Sequence, residues 1–360
     1  MVKFSEVMDV SLEWTTTVLF RPFSPKKWLV LGFVAIMAGY MSGGNYNFSD
    51  SNTNKKAQAA QEAVVSAPAD PALIPAGTGL SDQEIKTKEI LGEFRKPANS
   101  LWTPVIIIVV FLLIMLFSWL ASRFSFVFLE NLTRNEALVR APFRNNRNLG
   151  NSLFIFSLAI LLIFLAIFGI IFFLCFNSLN ELGVFADGTK PGIKTVIWGC
   201  FPYFLISLAV LMLMMFYGFL MNNFIVAVMY KDKTGPMRAW KNFWAVFNPH
   251  KGEFIKYLFI KAGLSIAAAF IYGMLCIVAY LGLLLPGGLI ALIAYLLYLL
   301  VPAGLHLAYF ITLGIVLTPV VLLVLYCLLC LNLPFAVFLR TFSLKFLARL
   351  EGRYNLFVYN

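Results

Sequence analysis

The chain has 360 residues, 61% of them hydrophobic and 12% charged, with 36 phenylalanines and a formal charge of +11. Soluble domains are roughly 45–50% apolar and about 25% charged, and they do not expose apolar patches beyond a few hundred Å². A soluble enzyme, a disordered chain and a disulfide scaffold are therefore excluded, which leaves a helical protein that crosses a membrane several times.

In chain order, the first twenty residues read as an amphipathic helix. Phe4, Val7, Met8, Trp14 and Val18 fall near one face, with Glu6, Asp9, Glu13 and Thr16 near the other. Those acids also argue against a signal peptide. Six apolar runs follow, at residues 28–41, 101–121, 153–176, 196–230, about 257–285 and 306–331. Crossing about 30 Å of hydrocarbon takes about 20 such residues. Residues 153–176 include 22 apolar side chains among 24. The first run is short and needs a thin local bilayer. The fourth, at 35 residues, is roughly 50 Å long and must project beyond the membrane.

Between the first two runs, residues 43–100 form a polar outer loop. Its stretches 45–51 and 57–79 are rich in Asn, Ser, Ala and Pro and cannot bury enough surface to fold alone. Ser81-Asp-Gln-Glu84 has the spacing to cap a short helix running toward Phe94.

Lys and Arg accumulate on cytoplasmic flanks. With the N-terminus inside, the inner segments carry 19 cations and the outer segments 8, which places both termini in the cytoplasm of a bacterial inner membrane and makes the number of crossings even. The remaining apolar stretch, 289–300, lies between Pro286-Gly-Gly and Pro302-Ala-Gly and reads as a re-entrant or outer-face helix. A seventh span is the alternative, and the basic tail (Arg340, Lys345, Arg349, Arg353) argues against it.

One motif occurs three times, each time ahead of an outward-going span: Phe23-Ser-Pro-Lys-Lys27, Phe143-Arg-Asn-Asn-Arg147 and Phe247-Asn-Pro-His-Lys251. A cation follows each Phe by four residues, with a turn-former between them. Ahead of the third, Met237, Trp240, Trp244 and Phe247 keep helical spacing, opposed by Arg238, Lys241 and Asn248, and Pro236 starts that helix. The expected fold is an all-α integral membrane protein with six transmembrane helices in three parallel two-span repeats. An amphipathic interfacial helix precedes each repeat, and the apolar 289–300 helix is additional. The repeats are bounded at 1–133, 134–234 and 235–360, the last ending in a cytoplasmic helical extension.

The segment Leu333-Pro-Phe-Ala-Val-Phe-Leu-Arg-Thr-Phe-Ser-Leu-Lys-Phe-Leu347, with Glu351-Gly-Arg-Tyr-Asn-Leu356 and Arg21-Pro-Phe-Ser-Pro-Lys-Lys-Trp28, resembles uncharacterised bacterial multi-spanning proteins. Those are similar in turn to the membrane domain attached to some glycerophosphodiester phosphodiesterases. The resemblance spans most of the chain except 43–100, and it implies the same membrane architecture and a lipid-related role. The catalytic barrel of those phosphodiesterases has no counterpart here.

Candidate chemistry is sparse. His250 and His306 stand alone at membrane boundaries, and no HExxH, GxSxG, P-loop or Cys/His zinc pattern occurs. Cys327-Leu-Leu-Cys330 lies in a Leu-rich helix and reads as packing. No ionisable residue sits centrally in a span, and Lys256 and Lys261 are close enough to an end to snorkel. No cofactor, metal or nucleic-acid partner is expected. The residues singled out are the candidate lipid-headgroup or interface set Phe23, Lys27, Phe143, Arg147, Phe247, Lys251, Trp240 and Trp244. Their expected partners are membrane lipids of anionic kind, or a membrane or cytoplasmic protein. The leading function is non-enzymatic organisation of lipid or a partner protein. A transporter of lipid or another apolar solute is the alternative, followed by a membrane-embedded enzyme.

Overall fold

A computed structural model describes residues 3–41, 102–184 and 192–357, and every regular element among them is helical. In chain order these are α1 (Phe4–Phe20), α2 (Pro25–Met37), α3 (Trp102–Arg134), α4 (Arg140–Asn145), α5 (Arg147–Glu181) and α6 (Ile193–Leu220). A single π turn (Met221–Ile225) leads from α6 into α7 (Val226–Asp232). Then come α8 (Pro236–Phe247), α9 (Lys251–Leu300), α10 (His306–Cys330) and α11 (Leu333–Leu350). The expected short helix after Ser81 and the polar loop 43–100 lie outside the described residues.

Five helical stretches are long and apolar enough to cross a membrane: Pro104–Arg134, Arg147–Glu181, Ile193–Asp232, Pro236–Leu300 and His306–Leu350. The chain is thus a helical membrane protein. Its contacts divide it into two units, Met1–Asn45 with Trp119–Asn360, and Tyr46–Ser118. The described part of the second unit is the first half of α3, whose side chains at 105–117 are exposed except for half-buried Met115.

Within the first unit, the core gathers at the helix ends. Side chains at 123–133 in α3, 224–229 across the π turn and α7, and 339–347 in α11 are buried on every side. A helix buried all round belongs in the middle of a core. Phe224 is the hub: Phe243, Phe254, Tyr257 and Phe346 have ring centroids 5.2–6.3 Å from its own. α1 closes one side with the face read from sequence, burying Val7, Ser11, Trp14, Thr15, Val18 and Leu19 mainly against α11. Trp14 Nε1 donates to the Leu132 carbonyl at 3.0 Å.

Away from this core, α5 pairs with α6 and α9 with α10 as hairpins whose outer faces stay open. Phe172, Trp198, Phe270 and Leu307 are each 70–74% exposed. Cys175 and Cys200 face one another across the first hairpin, sulfur to sulfur 3.8 Å. Tyr309 Oη donates to the Ala294 carbonyl at 2.5 Å across the second.

One sequence expectation is met in part, a run that is short as expected, and another needs correction. The run 28–41 does not form a helix of spanning length. Ser24 caps its start and Pro25 occupies the first position, but the helix stops at Met37. Gly39 then takes a left-handed φ of +79°, with Tyr40 N–H bonded to the Ala35 carbonyl at 2.9 Å, the hydrogen-bonded helix stop that glycine permits. Thirteen residues reach about 20 Å, two-thirds of the hydrocarbon thickness. The correction concerns 289–300, which is not a separate helix. α9 runs for 50 residues straight through Pro286. Proline removes one backbone hydrogen bond, whereas breaking the helix in apolar surroundings would strand several polar backbone groups.

Candidate functional site

The three Phe/cation motifs attach to the first unit's core in different ways. In the first, Phe23 is 60% exposed and leans on Trp28 at 6.1 Å, while Trp28 Nε1 donates to the Leu19 carbonyl at 2.8 Å. Lys27 Nζ donates to Asn135 Oδ1 at 2.6 Å, just beyond the end of α3, and burial lowers its pKa below the usual lysine range. In the second, Phe143 packs against Phe124 at 5.4 Å and Trp119 at 6.5 Å. The Arg123 guanidinium lies over both Trp119 (4.3 Å) and Phe143 (5.0 Å). Asn151 Oδ1 accepts from Arg123 Nη2 at 2.9 Å and from Trp119 Nε1 at 3.1 Å. Arg147 itself is exposed.

In the third, Phe247 packs on Trp244 at 4.8 Å and Phe254 at 5.0 Å, and Lys251 is exposed at the start of α9. Trp240 stacks on Tyr217 at 5.8 Å, whereas Trp244 stays 41% exposed. Phe143, Phe247, Trp240 and Trp28 therefore sit on one connected core. Phe23 is not part of it. An open cleft of about 650 Å³ adjoins the third motif, and its charges pair among themselves: Lys3 with Glu6 at 3.3 Å, Arg349 with Glu6 at 3.4 Å, Lys256 with Glu253 at 3.5 Å.

One polar part of the interior was not among the residues singled out from sequence. Lys261, expected to snorkel, is 5% exposed and points into the core instead. Its Nζ donates to Asn223 Oδ1 and, at 2.6 Å, to Ser343 Oγ, while Tyr257 Oη donates to the same Ser343 Oγ at 2.8 Å. The π turn carries Asn223, and such turns often mark functional positions because they re-aim a side chain without breaking the helix. One turn before Ser343 on α11, Arg340 is 2% exposed and lies 5.2 Å from the centroid of the Tyr40 ring. Among the described residues, none of the three guanidinium nitrogens, nor Tyr40 Oη, has a hydrogen-bond partner. The clue was in the sequence: Asn222-Asn223 interrupts an uncharged run from 195 to 230, and polar groups inside spans are costly enough to mark a site.

Around Glu130 the polar groups are matched, whereas Trp240 Nε1 and Tyr217 Oη, like the Arg340 nitrogens, have no hydrogen-bond partner among the described residues. Asn146 Nδ2 donates to buried Glu130 Oε2 at 2.6 Å, and Arg134 pairs with the other carboxylate oxygen at 3.7 Å. Among the described residues no group of three or more His, Cys, Asp or Glu side chains is placed to hold a metal ion. No curated protein and no solved structure matches the chain. A family model does match, over residues 5–357, which takes in nearly every element described above. The chain belongs to that family, DUF7544, a family of unknown function.

Proposed function

We propose that this is a non-enzymatic membrane protein that organises anionic lipid at the cytoplasmic surface of a bacterial inner membrane. One observation carries the reading: Phe143, Phe247 and Trp240 seat their motifs on a single core, leaving Arg147, Lys251 and Trp244 exposed at its surface. Cations held near a bilayer surface contribute about 1 kcal/mol each toward anionic lipid. Replacing Lys27, Arg147 and Lys251 together by Gln should therefore weaken binding to phosphatidylglycerol vesicles roughly 100-fold, with phosphatidylcholine vesicles as the baseline. Unchanged association would sink the lipid version and favour a protein partner at the same surface.

The packing of α1 on α11 supports termini on one side of the membrane, hence an even number of crossings. Five long apolar helices then leave one crossing to residues 25–101, where α2 and the residues just after it are the apolar stretch at hand. The three helix ends buried all round suit three two-span repeats. Cysteines introduced at Ser66 and at the C-terminus should react with impermeant reagent from opposite sides; labelling of both from one side would refute the topology.

A transporter of lipid or another apolar solute is the second reading. Inward-facing Lys261 favours it, since ionisable groups at membrane depth often line a pathway. Background-level flux in liposomes across several lipid classes would count against it.

A further inference from the structure

We infer that Arg340 and Lys261, with Tyr40, form an internal binding site for a phosphate-class oxyanion, separate from the surface motifs. Both cations are more than nine-tenths buried, and Arg340 stands one turn along α11 from Ser343, whose hydroxyl Lys261 Nζ reaches at 2.6 Å. Among the described residues no ion pair neutralises either one. The nearby polar groups on Lys261 are neutral: an amide oxygen from Asn223 and the Ser343 hydroxyl. Burying like charges without a counter-ion is strongly unfavourable, and an anion with its hydrogen bonds offsets the loss of water around them.

The free donors match that need. A guanidinium offers a planar fork suited to two oxygens of one phosphate, and an ammonium adds a point charge beside it. Here all three Arg340 nitrogens and Tyr40 Oη are without a partner among the described residues. The same holds for Thr341 Oγ1, the next residue along α11, among the described residues. The hydrogen bonds to Asn223 and Ser343 fix Lys261 in direction.

The depth of the site points the same way. Lys261 is the last charged residue before 39 uncharged ones at 262–300, and Arg340 is the first after the uncharged stretch 306–339. Both stand where apolar helix gives way to charged chain. That is the level of a phospholipid phosphate, and a free phosphate presents the same chemistry to the same groups.

The test uses the full chain purified in neutral detergent, with two readouts: bound phosphorus per chain and the thermal midpoint. Titrants are inorganic phosphate, phosphatidate and phosphatidylcholine. The expected result is a rise in midpoint with inorganic phosphate or phosphatidate that is lost in Arg340→Met and weakened about tenfold or more in Lys261→Met. A response to phosphatidate alone identifies a lipid headgroup, and an equal response to inorganic phosphate identifies a free oxyanion. Arg340→Lys keeps the charge and the fold but not the fork, and should bind about tenfold more weakly. The Lys27/Arg147/Lys251 variant should keep the full response, which separates this site from the surface motifs. A wild-type chain that carries no phosphorus and responds to neither titrant would overturn the proposal. So would a response that survives in both methionine variants.

Discussion

α10 and α11 follow one another in a single stretch, yet they live in different surroundings. Along α10, Leu307, Ile315 and Leu323 are 61–74% exposed. Along α11, nine successive residues from 339 to 347 are buried, Arg340 and Lys345 among them. Apolar content alone would rank α10 as the core helix and α11 as the surface one. The reversal shows which solvent each part meets. α10 carries aliphatic side chains that need only a hydrocarbon neighbour, and lipid supplies it. α11 carries Phe338, Phe342 and Phe346 among polar groups, which need protein partners of defined shape. In the described part of the first unit, directional packing is concentrated at the helix ends and the hairpins are left to the bilayer.

The sharpest way to break that contrast is to remove a ring from each region. Phe224→Ala should cost about 3–5 kcal/mol, because four aromatic neighbours would face a cavity. Phe172→Ala, at a position 72% exposed on α5, should cost a small fraction of that in detergent. Equal losses of thermal midpoint would mean that the hairpins carry tertiary packing of their own.

A second test probes where α2 meets α10. A Cβ on Gly32 would stand 2.6 Å from Cys330 Sγ, so Gly32→Ala should cost about 1–3 kcal/mol through overpacking. Adding Cys330→Ala should restore much of the loss, and a double-mutant cycle measures that recovery. If the two substitutions are additive, the close approach of α2 and α10 is not what Gly32 serves.

The buried carboxylate comes next. Glu130→Ala removes one of the two acceptors of Asn146 Nδ2, leaving the Pro142 carbonyl, and should cost about 1–3 kcal/mol, read as chemical unfolding in mild detergent. The smallest effect concerns pH. Tyr354 is held in its neutral form by burial and by Asp232, so its pKa is raised above the usual tyrosine value. Because the folded pKa exceeds the unfolded one, this contribution is full below about pH 10 and fades as pH rises through the folded value. Tyr354→Phe should flatten the alkaline arm of the stability profile, and an unchanged arm would assign it to other groups.

Much of the architecture could be read from residue order. Ser24-Pro25 and Gly235-Pro236 begin helices where proline and capping rules put them. The apolar face of α1 is buried as its spacing implies. The interior polar groups were harder to read. A charge at the end of an apolar run looks the same whether its helix turns it toward water or toward protein, so Lys261 and Arg340 passed for flanking cations. When most positions on a helix are apolar, the 3.6-residue period marks no face, and nothing local distinguishes the two directions. Pro286 misled for a related reason. Its cost as a helix breaker is set in water, where freed carbonyls find new partners, and α9 lies where they would not.

That uninterrupted α9 has a mechanical consequence. Fifty residues make a rod about 75 Å long, more than twice the thickness of the hydrocarbon layer. One end is clamped among Phe254, Tyr257 and Lys261 in the core, while the other pairs with its hairpin partner α10. A strut fixed at one end and loose at the other is a lever. Sideways force on the far hairpin, from a neighbouring protein or from changing bilayer thickness, would arrive as torque at the base where Lys261 meets Asn223 and Ser343.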